Sequence, residues 1–171
     1  MKAFDRAYTF YKDLPPWAKG VVIVGGSAVT YFAARGAYKL IKGKLDLAKM
    51  QKEGKDAGNQ VQLLAKAGIK PTITKAQAES FSNSLVQAFS NCGTDEDAVY
   101  AIMRQLKNEA DVYLLIATYG VRHYSGCGWW NVFSSGQTVS LSAAISDELD
   151  VLEKTNVNSI LNKNGIKFQF T

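Results

Sequence analysis

The chain has 171 residues, 47% of them hydrophobic, with 20 Lys and Arg against 15 Asp and Glu for a net charge of +5. That balance excludes a disordered chain and a polytopic membrane protein, and leaves room for one globular domain. Residues 1–70 hold thirteen Lys and Arg against five acids and residues 71–171 seven against ten, so the basic character belongs to the first part alone. Cys92 and Cys127 are too few for a disulfide framework and lack metal-ligand spacing, which suits two buried free thiols. The lone histidine, His123, reads as a loop residue. No phosphate loop, dinucleotide fingerprint or Gly-x-Ser-x-Gly occurs, and no carboxylate pair stands apart from ordinary helix capping. The chain is therefore expected not to be an enzyme, and neither a cofactor nor a metal site is expected.

Phe4, Ala7, Tyr8 and Tyr11 recur at helical spacing, which suits an amphipathic segment over 1–16 lying in a membrane interface. Pro15 and Pro16 end it. Gly20 to Ala34 then run without a charge, and a spanning helix over 17–41 reaches the required length if Lys19, Arg35 and Lys39 lift their charges to the headgroups. Trp17, Tyr31 and Phe32 serve as its aromatic ends and Val21, Val22, Ile23 and Val24 as its apolar body. Gly26, Thr30, Ala33 and Ala37 give it a small-residue face that another helix could approach closely, as in a homo-oligomer. A buried core helix and a signal peptide are the competing readings. The second is opposed by the long, mixed-charge segment in front of the run.

Arg35, Lys39, Lys42, Lys44 and Lys49 follow, and a basic helical linker is expected over 42–72. Such a segment beside an apolar span meets anionic headgroups first and nucleic acid, nonspecifically, second. Seven basic residues lie between Arg35 and Lys55 against four before Gly20, which places the carboxyl-terminal domain on the interior or cytoplasmic side of a virion membrane or bacterial inner membrane. Tyr38, Ile41, Leu45 and Ala48 give an apolar stripe, Gly54 and Gly58 are expected to interrupt the helix, and Ala57, Val61, Leu64 and Ala67 resume one that stops at Gly68.

From 73 to 171 the spacing predicts a series of capped helices. Thr74 with Gln77 starts one through Ala78, Phe81, Leu85 and Phe89, and Thr94 with Asp97 the next, through Val99, Ile102, Met103 and Leu106. Asn108 with Asp111 starts a third through Val112, Leu115, Ile116 and Tyr119, closed by Gly120. Leu141 to Leu149 is a fourth, with Leu141, Ala144, Ile145 and Leu149 on one face. Asp150 with Glu153 starts the last, through Leu152, Val157, Ile160 and Leu161 to Gly165. Five short stripes can be buried only against each other, so the fold class is all-α, a transmembrane helix followed by a small helical bundle.

The turn Gly93-Thr94-Asp95-Glu96, with Ala98 to Ile102 and Leu106 after it, resembles the annexin repeat. The resemblance continues through Asn108 to Tyr119, Leu141 to Leu149 and Val157 to Leu161, and covers about residues 78 to 165. Physically, Gly93 allows the turn, Thr94 caps, and Asp95 and Glu96 favour the positive end of the helix. The resemblance implies calcium binding by backbone carbonyls of the turn, completed by a carboxylate some forty residues on. Phe133 to Gln137 has no acid there, so calcium binding is not expected.

The chain departs from the family in a long insert, Val121 to Thr138, which holds a glycine-hinged aromatic cluster. Trp129, Trp130 and Phe133 are the candidates for contacting a protein partner, against the alternatives of a lid on the bundle or a sugar-binding or catalytic loop. Single annexin-like modules of this type occur in bacterial and phage proteins. The combined expectation is a membrane-anchored structural or adaptor protein, most concretely a virion component of a membrane-containing bacteriophage. A bacterial inner-membrane tether and a phage cell-wall hydrolase are the alternatives.

Overall fold

The computed structural model describes residues 44–90, 93–124 and 137–171. The chain divides into two units, Met1–Leu45 and Asp46–Thr171. Of the first, only Lys44 and Leu45 are described; both are helical and exposed. The expected interfacial segment over 1–16 and membrane span over 17–41 lie outside the described residues. Among the described residues no helix is long and apolar enough to cross a membrane.

The second unit is mostly helical, as the capping pattern predicts. It opens with α1, which is helical from 46 to 66, and continues with α2 (Lys75–Phe89), α3 (Glu96–Met103), α4 (Glu109–Tyr119), β1 (Val121–Tyr124), β2 (Gln137–Ser140), α5 (Leu141–Glu148) and α6 (Val151–Lys163). The capping boxes Thr74/Gln77, Asn108/Asp111 and Asp150/Glu153 all form, each satisfying two backbone donors at a helix start. The core is built from the expected faces: Leu85 and Phe89 of α2, Val99 and Met103 of α3, Leu115 and Tyr119 of α4, Leu141 and Ile145 of α5, Val157 and Leu161 of α6.

Four expectations are corrected. α1 runs through Gly54 and Gly58 without a break. Its packing explains the tolerance, because it passes close to the end of α4: a Cβ on residue 54 would meet the Cα of Gly120 at 3.5 Å, and one on residue 58 the Cβ of Ala117 at 4.0 Å. The face that packs holds Met50 and Ala57, while Leu45, Ala48 and Ala67 of the expected stripe are exposed. Second, Thr94 does not cap α3. Asp95 does, accepting the Ala98 amide at 3.0 Å, because the Thr94 hydroxyl is turned toward Glu148. Third, Leu152 is 73% exposed, since the buried stripe of α6 is set by Val157 and Leu161, a turn and more further on.

Fourth, the insert begins and ends as an antiparallel ribbon in which Val121 pairs with Ser140, Arg122 with Val139, His123 with Thr138 and Tyr124 with Gln137. Gly120 makes the junction between α4 and β1 possible by taking φ +57, and its amide closes on Ile116 O. His123 is thus a strand residue, its Nδ1 3.2 Å from Thr138 Oγ1.

The connection from α1 to α2 is fixed by Asp111, which is fully buried. Its Oδ1 accepts the amides of Thr72 and Ile73, and its Oδ2 accepts the Thr72 hydroxyl and the amides of Lys107 and Asn108. Burial alone would raise its pKa, but the Lys107 amide, the Thr72 hydroxyl and the Ile73 and Thr72 amides together hold it below the usual carboxylate value. A carboxyl with a lowered folded pKa contributes stability that is full above its unfolded value of 3.8 and is lost as pH falls through the folded value. Asp111→Asn should cost about 2 to 3 kcal/mol at pH 7, because an amide cannot accept all five donors. Urea melts at pH 7 and pH 3 should show the variant losing less stability on acidification than the native chain.

Candidate functional site

The turn at Gly93 is the first of three places where expected site residues are described. Gly93 has φ +91, a left-handed conformation that frees the chain to reverse between α2 and α3. The Asp95 amide then donates to Ala88 O at 3.1 Å, and Asp95 and Glu96 stand at the positive end of α3, as expected. The expectation that no acid faces this turn is corrected. Thr94 Oγ1 lies 3.2 Å from the carbonyl of Glu148 and 3.4 Å from its Oε2, so the end of α5 brings a carboxylate there across 54 positions of sequence. Among the described residues, no group of three or more His, Cys, Asp or Glu is placed to hold a metal.

The second place is the root of the aromatic insert. Arg122, on β1, donates from Nη2 to Glu79 Oε1 and from Nη1 to Asn83 Oδ1, each at 2.6 Å, and from Nε to Tyr119 O at 3.1 Å. One planar guanidinium thus ties the ribbon to α2 and to the end of α4, a fork geometry that lysine could not supply. It also lies 5.8 Å from the ring centre of Tyr119. Burial pushes the Tyr119 phenol up to about 12 against the opposing effect of Arg122, and its hydroxyl has no hydrogen-bond partner among the described residues. Trp129, Trp130 and Phe133, which this root carries, lie outside the described residues.

The third place is the described part of the basic segment, Lys44 and the lysines of α1. Lys44 and Lys49, expected to meet anionic groups, are exposed, as are Lys52, Lys55 and Lys66. Lys52, Lys55 and Lys66 fall on one face at helical spacing, and Leu63, 55% exposed, lies beside them. Arg35, Lys39 and Lys42 lie outside the described residues, as do the anchor residues Trp17, Val21, Val22, Ile23, Val24, Tyr31 and Phe32.

Sequence reasoning missed a groove between α1 and the carboxyl-terminal tail. The tail is pinned by Asn158, whose side chain donates to Phe170 O at 2.8 Å and accepts the Phe170 amide at 2.9 Å. This pairing leaves about 570 Å³ between the tail, Tyr113 of α4 and Glu53 of α1. A clue was present in Phe168 and Phe170, two aromatics spaced to share one side of an extended segment.

No protein family, curated protein or solved structure matches the chain. The annexin-like resemblance therefore rests on the turn and the helix order described above.

One carboxylate beside a turn gives a hard cation too few oxygens, so calorimetry should detect no calcium binding below about millimolar concentration. Micromolar affinity would mean that carbonyls of the Gly93 turn complete a site with Glu148. For the insert, replacing Trp129 and Trp130 together with Ala should weaken assembly with a partner while leaving the melting temperature nearly unchanged. A loss of about 3 to 5 kcal/mol for each ring would show instead that the rings are a lid on the bundle.

Proposed function

We propose that the chain is a membrane-anchored, non-enzymatic structural or adaptor protein, whose carboxyl-terminal annexin-like helical domain stands on the interior or cytoplasmic side and engages other proteins of a larger assembly. Its most concrete form is a virion component of a membrane-containing bacteriophage. The observation that carries the reading is the outward face of α1. Lys52, Lys55 and Lys66 are all exposed there and extend, into the folded unit, the basic segment that follows the uncharged run from Gly20 to Ala34. An anionic lipid surface contributes about 1 kcal/mol for each lysine near it, so several lysines on one face add appreciably to an anchor. The clamped root of the insert supports the adaptor half of the reading. Arg122 ties the base of an aromatic loop to the bundle, and a loop held at its root loses less entropy when its tip meets a partner.

Flotation of the intact chain with lipid vesicles, combined with protease protection, tests this directly. The protein should float, resist extraction by high salt, and yield a protected fragment that includes residues 17–41. Removal of residues 1–45 should leave a fragment that stays in the supernatant. A full chain that remains monomeric in water without detergent would overturn the anchor.

A further inference from the structure

The groove between α1 and the tail has features that neither anchoring nor the aromatic insert uses. Its volume of about 570 Å³ falls within the range of small-ligand sites. Tyr113, Phe168 and Phe170 line it, and their rings stand close to perpendicular. Tyr113 and Phe168 are 5.6 Å apart at 82°, and Phe168 and Phe170 are 4.9 Å apart at 73°. Rings at right angles form a corner, and the negative faces of such rings attract a cation within about 6 Å of their centres.

Glu53 lines the same groove from α1, with Asp56 beside it. Its Oε1 is covered from solvent and has no hydrogen-bond partner among the described residues. A carboxylate oxygen removed from water without a donor is unfavourable, and a donor entering the groove relieves it. The terminal torsion of glutamate is broad and roughly twofold, so the carboxylate can turn either oxygen to meet that donor. Lys49 and Lys52 also line the groove, but both are exposed and neither bonds to Oε1.

We propose that this groove binds an organic ammonium group, with the Glu53 carboxylate as its counter-ion and hydrogen-bond acceptor and the rings of Tyr113 and Phe168 as its walls. The carboxylate answers the charge and the N–H, while the ring faces answer the adjoining methylenes. A neutral molecule of the same shape meets only the rings. Lys49 and Lys52 line the same groove and are exposed, so an anion attached to the ammonium finds a counter-charge there and a zwitterion is accommodated as well. The same chemistry is offered by a lysine side chain of a partner protein and by an amine headgroup of a lipid. The site stands whether or not the chain is anchored.

The test is an NMR titration of the full chain in a non-ionic, amine-free detergent, following the amides of Glu53, Tyr113 and Phe168. n-Butylammonium should shift them saturably, and 1-butanol at the same concentration should not. Glu53→Gln should weaken the ammonium about tenfold, and Phe168→Leu should weaken it several-fold. Should Glu53→Gln fold poorly, Phe168→Leu carries the comparison, with circular dichroism of each variant as the check on folding. Nα-acetyl-lysine methylamide and phosphoethanolamine then identify the source. Tighter binding of either one upholds the site and names the lysine side chain or the headgroup as its occupant. The proposal is overturned if 1-butanol binds as well as the ammonium, if folded Glu53→Gln binds unchanged, or if no ammonium saturates below about 50 mM.

Discussion

One carboxylate determines how the first helix of the folded unit joins the rest. Asp111 sits in the first turn of α4, where its amide and its Oδ2 close a capping box with Asn108, yet its oxygens also reach well beyond that box. They gather donors from the chain entering α2, at Thr72 and Ile73, and from the turn leaving α3, at Lys107, two segments far apart in the sequence. Asn108 strengthens the same junction by donating to Lys70 O at 3.0 Å. Since buried backbone donors are costly to leave unpaired, the chain after α1 has one low-energy path, past the start of α4. That path returns α1 along α4, and the groove and the close approach of Gly54 to Gly120 both follow from it.

Arg122 does for the insert what Asp111 does for the α1–α2 connection. A two-stranded ribbon of four residues a side is marginal in water by itself. Here it is held by Val139 and Ser140, both buried, and by a guanidinium that reaches Asn83 and Glu79 on α2. The ion pair itself is partly exposed, Glu79 being about half accessible, so its contribution is one of geometry more than of energy. The effect is a rigid root under the loop that carries the tryptophans. The Tyr119 hydroxyl is buried at this junction with no partner among the described residues, and its ring lies beside the guanidinium.

Most of the helical bundle was legible in the sequence because its signals are local. A capping box and a stripe at three and four residues are read within a single helix, and the starts at Thr74, Asn108 and Asp150 fell where those signals placed them. What escaped depended on residues far apart in the chain. Thr94 looked like a cap until Glu148, a long way downstream, took its hydroxyl. Gly54 and Gly58 looked like breaks because the helix that tolerates them does so through its contact with α4. The strands of the insert are too short for alternation to show, and their pairing joins residues far apart in the sequence, such as Val121 and Ser140. The groove is the extreme case, since Glu53, Tyr113 and Phe168 come from three separate parts of the chain and none carries a motif of its own.

α1 shows why net charge describes this molecule poorly. Its packed side is made of small and apolar residues such as Met50 and Ala57, and beyond that edge Glu53 and Asp56 line the groove. Its outward side bears Lys55 and Lys66, with Lys52 between the two regions. Along the sequence these charges nearly alternate, and averaged over the helix they largely cancel. Folding sorts them in part, because the helical period sends residues three, four and seven apart to the same side, keeping Lys49 with Glu53 and Lys52 with Asp56 while Lys55 and Lys66 share another. The result is a helix with an aromatic-walled groove of mixed charge on one flank, lined by Glu53, Asp56, Lys49 and Lys52, and Lys55 and Lys66 on the next. An anionic surface and an organic cation would therefore draw on opposite charges of the same helix, with Lys52 the one side chain placed at both.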